Sequence, residues 1–536
     1  MRNYLPILLL FFISCFAAYG QTVSSFGSSN LPLILIDTDG YQIKDDPKIA
    51  AEMGIIWNGA GKTNASTDAF NDYNGKIGIE LRGSSSQGFP KKSYGLELKN
   101  ELGEDIDASL LGMPEEEDWI LYGPYSDKTL IRNVLIFTLD AALGHYSPRC
   151  RFVELFLNDQ YQGVYVLMEK IKRDDFRLDL AKLNPDELSG EDLTGGYIIK
   201  IDKTTGSGGS GWYSDYLSKA NRRTFFQYEV PKFDEIQPAQ KNYIQDYVDM
   251  VEKALNDNNF DGTNGFRQLA DEDSFIDYMI MNELSKNIDG YRLSTFLHKD
   301  KNGKLKLGPI WDFNLAFGNA NYYNGESTSG FQFEANLGND DWQNPFWWPI
   351  LFEDNTFRRK LKDRWSSLRE NQLSDQRITT VVDSLTNLLA DAQGRNFQKW
   401  PVLSTWVWPN AYVGNSYSAE VSWLKSWINN RLNWLDTNIE GLYVGSPELA
   451  QNQDVQVFPN PFRNELHLEL SANLRGNLSW MIYTMQGAKV AENTLEPESG
   501  QVIISDAKIR ILPAGVYFLR IMQDGEVVLN QKLVKQ

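Results

Sequence analysis

The hydrophobic period of this chain changes once, near Pro231, and that change limits the folds open to it. Before it, apolar residues alternate or run in short blocks: Leu33–Ile36, Ile77–Leu81, Tyr94–Leu98, Phe152–Leu157, Gly163–Leu167 and Gly196–Ile201. Such blocks, bounded by turn residues, predict strands. One segment differs, since Asp127–Leu143 spaces Ile131, Val134, Leu135, Leu139 and Ala142 as a helix does. After Pro231 the helical period governs Tyr243–Leu255, Asp273–Lys286, Phe357–Arg369, Ser374–Ala392 and Ser418–Asn438. A sheet lobe followed by a helical lobe predicts an α+β fold. The aromatic group Trp342, Phe346, Trp347, Trp348, Trp400, Trp406 and Trp408 is expected in core and loop packing.

A third texture follows the polar segment Ser446–Asp454. Short alternating runs recur at Val455–Phe458, Glu465–Leu470, Ser479–Thr484, Gln501–Ile504, Gly515–Met522 and Val527–Leu533. Turn signals at Pro459-Asn460-Pro461, Gln486-Gly487 and Pro513-Ala514-Gly515 separate them, which predicts a small β-sandwich. This tail has eight basic and eight acidic residues, so the net charge of −19 lies upstream. An acidic chain argues against general affinity for nucleic-acid phosphates or anionic lipid. With 42% apolar residues it also lies far from a disordered composition.

Cys15, Cys150, His145, His298 and His467 are all the Cys and His present, too few for a thiolate cluster or a multi-His metal centre. Carboxylates and lysines are left to carry any chemistry. The first residues add an address. Met1-Arg2-Asn3, the apolar run Ile7–Ala18 and the Ala18-Tyr19-Gly20 site predict a secretory signal over 1–20. The run is too short to span ~30 Å of hydrocarbon, and no later segment reads as transmembrane.

Two places combine residues suited to chemistry. Asp289 ends a helix within Asn287-Ile288-Asp289-Gly290-Tyr291, and Asp312 stands in Trp311-Asp312-Phe313-Asn314. Between them Leu293–His298 and Lys304–Leu307 flank a turn at Lys299–Gly303, and Asn-Gly is a strong hairpin signal. A hairpin returns the chain to its start, so both carboxylates face one neighbourhood, where a hard divalent ion finds oxygen ligands. An ordinary Asp-Gly surface turn is the alternative for this segment alone. The second place is the small-residue loop Arg82-Gly83-Ser84-Ser85-Ser86-Gln87-Gly88, followed by Lys91 and Lys92. Its backbone N–H groups suit phosphate oxygens, with a Lys or Arg to neutralise them. Strand alternation puts Lys92 with Tyr94, Leu96 and Leu98 and Lys91 with Ser93 and Glu97, which slightly favours Lys92. A flexible loop with solvated lysines is the competing reading.

Together these pieces resemble the spore-coat protein H (CotH) kinase family over roughly Leu31 to Tyr443. The matching text is Arg82-Gly83-Ser84-Ser85 with Pro90–Tyr94, Asp118–Leu121 with Leu130–Asn133, Gly163-Val164-Tyr165 with Glu169-Lys170-Ile171, Gly195–Ile199, the two aspartate segments, and Glu420 to Asp436. The resemblance implies an atypical protein-kinase-like two-lobed fold, with a sheet-rich N-lobe over 31–235 after a polar lead at 21–30 and a helical C-lobe over 236–445. It implies Asp289 as the catalytic-loop aspartate, Asp312 as metal ligand, and Lys91 or Lys92, with Arg82, Gly83, Ser84 and Ser85, on the phosphates of ATP. Met168, Glu169 and Lys170 would line the adenine pocket, and the helix carrying Arg132 and Asn133 would pack beside the phosphates. Mg²⁺ or Mn²⁺ would accompany ATP. Two departures stand at the metal: Ser294 where kinases place Asn, and Asn314 where many relatives place Asp. Neutral ligands hold Mg²⁺ less strongly.

Residues 455–536, after a linker at 446–454, resemble the C-terminal sorting domain of the type IX secretion system of Bacteroidetes. The resemblance rests on Val457–Phe462, Ile482–Gly487, Leu512–Arg520 and Lys532–Lys535. It implies recognition by that machinery and a secreted or surface location. The expected activity is transfer of the ATP γ-phosphate to Ser/Thr hydroxyls of secreted or surface proteins. The alternatives are a kinase-like surface binding or adhesion protein without turnover, and a carbohydrate-active enzyme using paired carboxylates.

Overall fold

The computed structural model describes residues 21–204, 210–442, 455–470, 478–484, 488–495, 501–505, 507–523 and 526–536. The expected signal at 1–20 and linker at 446–454 lie outside them. The chain divides into two compact units, Met1–Leu442 and Tyr443–Gln536.

In the first unit seven strands close a barrel: β1 (Leu33–Asp37), β2 (Ile49–Ile56), β3 (Tyr73–Arg82), β4 (Ser93–Lys99), β5 (Asp118–Tyr122), β6 (Cys150–Leu157) and β7 (Gln160–Glu169). Their order is β1-β2-β3-β4-β5-β7-β6, closed by a parallel pairing of β1 with β6 that sets Leu33 beside Glu154. Ile77, Ile79, Leu96, Leu98, Trp119, Leu121, Val153, Leu155, Tyr165 and Leu167 fill the interior. On β5, β6 and β7 the opposite face is also buried. Ile120, Phe152, Val164, Val166 and Met168 join the main core with Val134 and Leu135 of α1 (Arg132–Ala141) and Ile131 just before it. Burial on both faces explains the unbroken apolar runs there, while β3 alternates because one face meets solvent. The polar lead is packed as well, with Phe26 edge-on to Phe156 at 5.0 Å.

A second sheet holds β8 (Tyr197–Ile201), β9 (Gly211–Leu217), β10 (Arg223–Val230), β11 (Thr295–Lys299) and β12 (Lys306–Leu307), in the order β9-β10-β8-β11-β12. The α+β class therefore stands. The expected division near 235 into a sheet lobe and a helical lobe does not describe these sheets, because β8 pairs with β11 across it, Ile201 beside Thr295. Backbone pairing joins what periodicity alone separates. The helices α2 (Pro238–Asn256), α3 (Glu272–Ser285), α4 (Asn355–Glu370), α5 (Asp375–Leu388), α6 (Ala392–Lys399) and α7 (Tyr417–Glu440), with the short helices Phe266–Leu269 and Trp347–Glu353, belong to the same unit. Asp271, Asp354, Ser374 and Ser416 cap α3, α4, α5 and α7 by accepting from backbone N–H groups of the first turn.

Among the described residues of the second unit, seven strands form two sheets, Val455–Phe458, Leu466–Leu470 and Gln501–Ile504 in one, Leu478–Thr484, Lys489–Leu495, Gly515–Gln523 and Glu526–Lys535 in the other. Leu466, Leu468, Trp480, Ile482, Leu519 and Ile521 form its core, as a small sandwich requires. Among the described residues no helix is long and apolar enough to cross a membrane.

Candidate functional site

The hairpin forms where the sequence places it, with Leu297 beside Leu307, His298 beside Lys306, and Asn302 left-handed in the turn. Its outer ends meet. Phe317 N donates to Ser285 O at 2.6 Å and Asn287 Nδ2 to Asp312 O at 3.5 Å, stitching the two aspartate segments together. From α1, Asn133 Oδ1 accepts Phe313 N at 2.8 Å and Arg132 Nε donates to Ala316 O at 3.1 Å. Lys286, Tyr291, Ser294 and Asp312 all take left-handed backbone, with φ between 46 and 71. Strained non-glycine residues gathered in one place mark a conformation that the surroundings impose.

The imposing group is Glu283 on α3. It accepts Tyr291 Oη at 2.8 Å, Gln332 N at 2.7 Å and Phe333 N at 3.0 Å, and pairs with Arg431 of α7 at 3.0 Å. Both members of that pair are buried.

Within the resulting cleft, burial first, then the charges of Asp289 and Asp202, push the Asp312 carboxyl up to about 7. Lys203 and Arg82 oppose that rise. Asn314 Nδ2 donates to Asp312 Oδ1 at 2.6 Å. Asp289 Oδ1 accepts Arg292 Nη2 at 2.8 Å, and Asp289 Oδ2 has no hydrogen-bond partner among the described residues. Tyr322 faces both aspartates: burial, then the Asp289 charge, raise its phenol. It stacks on Trp408 at 6.0 Å, and Trp408 lies 6.4 Å from Phe89. Trp347 and Trp348 are core, as expected, whereas Trp406 and Trp408 are 56% and 43% exposed on the loop near Asn410.

The phosphate-loop residues divide. Gly83 has φ +109, and a Cβ there would run into Ser86 Oγ, so the turn requires glycine. Gln87 Nε2 braces the loop on Gly83 O at 2.7 Å, leaving Gly83, Ser84 and Ser85 exposed. Arg82 ends β3 with its guanidinium 5.8 Å from the Trp311 ring, and makes no hydrogen bond or ion pair among the described residues. Burial lowers its pKa, and Glu229, Glu80, Asp118 and Asp312 act against that. Lys91, by contrast, is committed elsewhere. Its buried Nζ donates to Val164 O at 2.6 Å, Asn396 Oδ1 at 2.8 Å and Pro124 O at 3.3 Å, over the Tyr165 ring. All three of its donors are thus occupied within the protein. Lys92 Nζ rests on Gln87 O at 2.6 Å, at the base of the loop.

The expected adenine segment is mostly interior. Met168 packs in the core, and Glu169 is fully buried against Arg149 at 2.6 Å. Lys170 pairs with Asp118 at 3.1 Å, close enough to Arg82 for the two charges to act on one another. Asp202, Lys203, Arg292 and Tyr322 are the cleft residues that sequence reasoning passed over. Asp202 had a faint signal, an acid closing the apolar run Gly196–Ile201.

Three carboxylates whose oxygens lie within 4.8 Å of one another are found at Glu116, Glu117 and Asp118. Lys172 reaches all three and Arg177 pairs with Glu116, so their charge is already met. Asp202, Asp289 and Asp312 are spaced more widely. An open hollow of ≈ 700 Å³ lined by Trp57, Asn58, Lys62 and Asn71 includes none of the cleft residues.

Carboxylates near a guanidinium that makes no ion pair among the described residues are suited to a cation and an anion bound together. Residues 79–435 match the family model described as CotH kinase protein, so the chain belongs to that family. Residues 456–536 match the model described as secretion system C-terminal sorting domain. Comparison with curated proteins gives no match. Among solved structures, Pseudomonas fluorescens alkylpurine DNA glycosylase AlkC bound to DNA containing an abasic site analog is 12% identical over 36% of this chain and 55% of its own, with a TM-score of 0.10. So slight a likeness carries no argument.

Proposed function

We propose that the chain is an exported, Mg²⁺-dependent kinase that transfers the γ-phosphoryl group of ATP to Ser or Thr hydroxyls of secreted or surface proteins. The observation that carries this reading is the joining of the Asp289 and Asp312 segments across the hairpin, with Arg82, which makes no ion pair among the described residues, near enough for its charge to act on Asp312. Asp289 Oδ2, free while Oδ1 is held by Arg292, receives or orients the acceptor proton. Asp312, with the Asn314 amide, fits a divalent ion: the donors are hard oxygens, and crowded carboxylates call for a cation. Bound there, Mg²⁺ supplies charge neutralisation on the phosphate oxygens. Arg82, rather than Lys91, lies against those phosphates with the Gly83–Ser85 loop, and its planar fork suits a phosphate face. Tyr322 and Trp408 line the side from which an acceptor approaches.

Residues 455–536 address the protein to the type IX machinery, after a signal at 1–20 takes it across the inner membrane. The test uses the full secreted chain with labelled ATP and candidate surface proteins. Asp289→Asn and Asp312→Asn should each abolish incorporation, and full activity in both would remove the assignment. Saturable binding of Mg-ATP with no transfer to any acceptor would instead favour the binding-protein reading, which the neutral Ser294 and Asn314 support.

A further inference from the structure

Away from the cleft, the loop that follows β2 lines the open hollow of ≈ 700 Å³ and is built more firmly than a connection between strands requires. Three asparagines hold it. Buried Asn64 accepts Asn58 N at 2.7 Å and donates to Leu31 O at 2.9 Å. Asn58 Nδ2 donates to Thr63 O at 2.9 Å and to Asp68 Oδ2 at 2.7 Å. Asn71 Oδ1 accepts Trp57 N at 2.8 Å, and its Nδ2 donates to Asn58 Oδ1 at 3.0 Å. Gly59 and Gly61 take φ +102 and +75, and a Cβ on either would meet nothing within 4 Å, so the loop is shaped but not filled.

What this frame leaves unused borders the hollow. Trp57 packs against the barrel core and keeps part of its ring exposed. Asn71 retains an amide hydrogen and a lone pair. The N–H groups of Gly61 and Thr63 have no protein acceptor among the described residues. Lys62 is exposed, and its Nζ makes no hydrogen bond or ion pair among them. It is also the one charged residue of the lining, since Asp68 is spent on Asn58 Nδ2 and Ala65 N and does not line the hollow. An indole face, amide groups and one unpaired ammonium match a polyhydroxylated ring that carries an anion. A single cation suits a sugar acid better than a polyphosphate, which calls for several.

We propose that this hollow binds acidic saccharides, with a sugar ring on Trp57 and its carboxylate or sulfate on Lys62 and the N–H groups of Gly61 and Thr63. The site is separate from the cleft, and its reading does not depend on phosphotransfer. A chain that carries a secretion sorting domain is sent to where polysaccharide is met.

The full-length chain, wild type and as Lys62→Met and Trp57→Leu, is titrated calorimetrically with tetragalacturonate, a heparin tetrasaccharide and neutral maltotetraose. Wild type should bind an acidic probe saturably and more tightly than maltotetraose, and the two acidic arms tell carboxylate from sulfate. Lys62 holds no contact, so Lys62→Met should melt as wild type does. Its affinity for the acidic probe should fall about fivefold, the upper range for an exposed charge pair, with any maltotetraose binding unchanged. Leucine keeps the apolar packing of Trp57 without its ring face, so Trp57→Leu should weaken binding of every probe; if it fails to fold, Lys62→Met decides alone. Absence of saturable binding of both acidic probes by wild type would overturn the proposal. So would a Lys62→Met affinity within about twofold of wild type.

Discussion

Replacing Asp312 by Asn should end phosphate transfer and yet make the metal-free chain more stable, and both effects have one cause. Burial and the charges of Asp289 and Asp202 lift this carboxyl from its ordinary 3.8 to about 7. The folded state then holds the proton more tightly than the unfolded chain does. Between those two values it binds more protons than the unfolded state, so stability falls as pH rises through the interval. Below it both states are protonated and nothing is lost; above it the full cost of a buried, crowded charge applies. At about 1.4 kcal/mol per pH unit that cost is about 4 kcal/mol, a ceiling that relaxation of the cleft lowers. Asparagine carries no charge, can still accept from Asn314 Nδ2, and tolerates the left-handed backbone at φ 60. Scanning calorimetry of the full chain in EDTA from pH 4 to pH 8 reads the effect. For a unit of this size the ceiling corresponds to about 4 °C at pH 8. The gap should close toward pH 4, and Mg²⁺ should narrow it by stabilising only the wild type. An Asp312→Asn chain that melts below wild type at pH 8, or a gap that ignores pH, would refute the account of the cleft as an acid cluster awaiting a cation.

Three further outcomes follow from named contacts. Arg82→Met should weaken ATP use by about a hundredfold in kcat/KM, the loss of a charge-assisted phosphate contact of about 3 kcal/mol, with the acceptor KM unchanged; an unaltered ATP dependence would move the phosphates elsewhere. Lys91→Met should lower the melting temperature, because Val164 O, Asn396 Oδ1 and Pro124 O lose their donor, while nucleotide affinity of the folded protein holds. A selective loss of ATP binding at full stability would restore Lys91 to the phosphate role. Arg431→Met strands the buried Glu283 carboxylate and should cost about 3–5 kcal/mol in denaturant unfolding; a change below about 1 kcal/mol would show that Glu283 does not hold the strained loop.

Local signals were legible where local rules decide. The Asn302-Gly303 turn announced its hairpin, and with it the meeting of residues 289 and 312. The runs Phe152–Leu157 and Gly163–Leu167 were readable as strands because both of their faces are buried. β2 was not, since Ala50, Ala51 and Gly54 dilute its apolar pattern, and Gly54 is small because the Phe70 ring lies against it. Alternation also misjudged the two lysines. Alternation holds only within a strand, and this one begins at Ser93. There the chain turns Lys91 toward Tyr165, so no face could be assigned by counting.

The largest omission has a different origin. A hydrophobic period tells that Tyr197–Ile201 and Thr295–Lys299 are strands, but partner choice depends on register and on which faces the rest of the fold buries. A sheet lobe before residue 235 and a helical lobe after it keep these strands apart, although Ile201 pairs with Thr295. Once Ile201 stands beside Thr295, the acid after one strand and the loop before the other become neighbours. The acids of the cleft thus come from three stretches of chain, of which sequence joins only the two that a short turn connects. Chemistry that depends on the third is recoverable only from pairing.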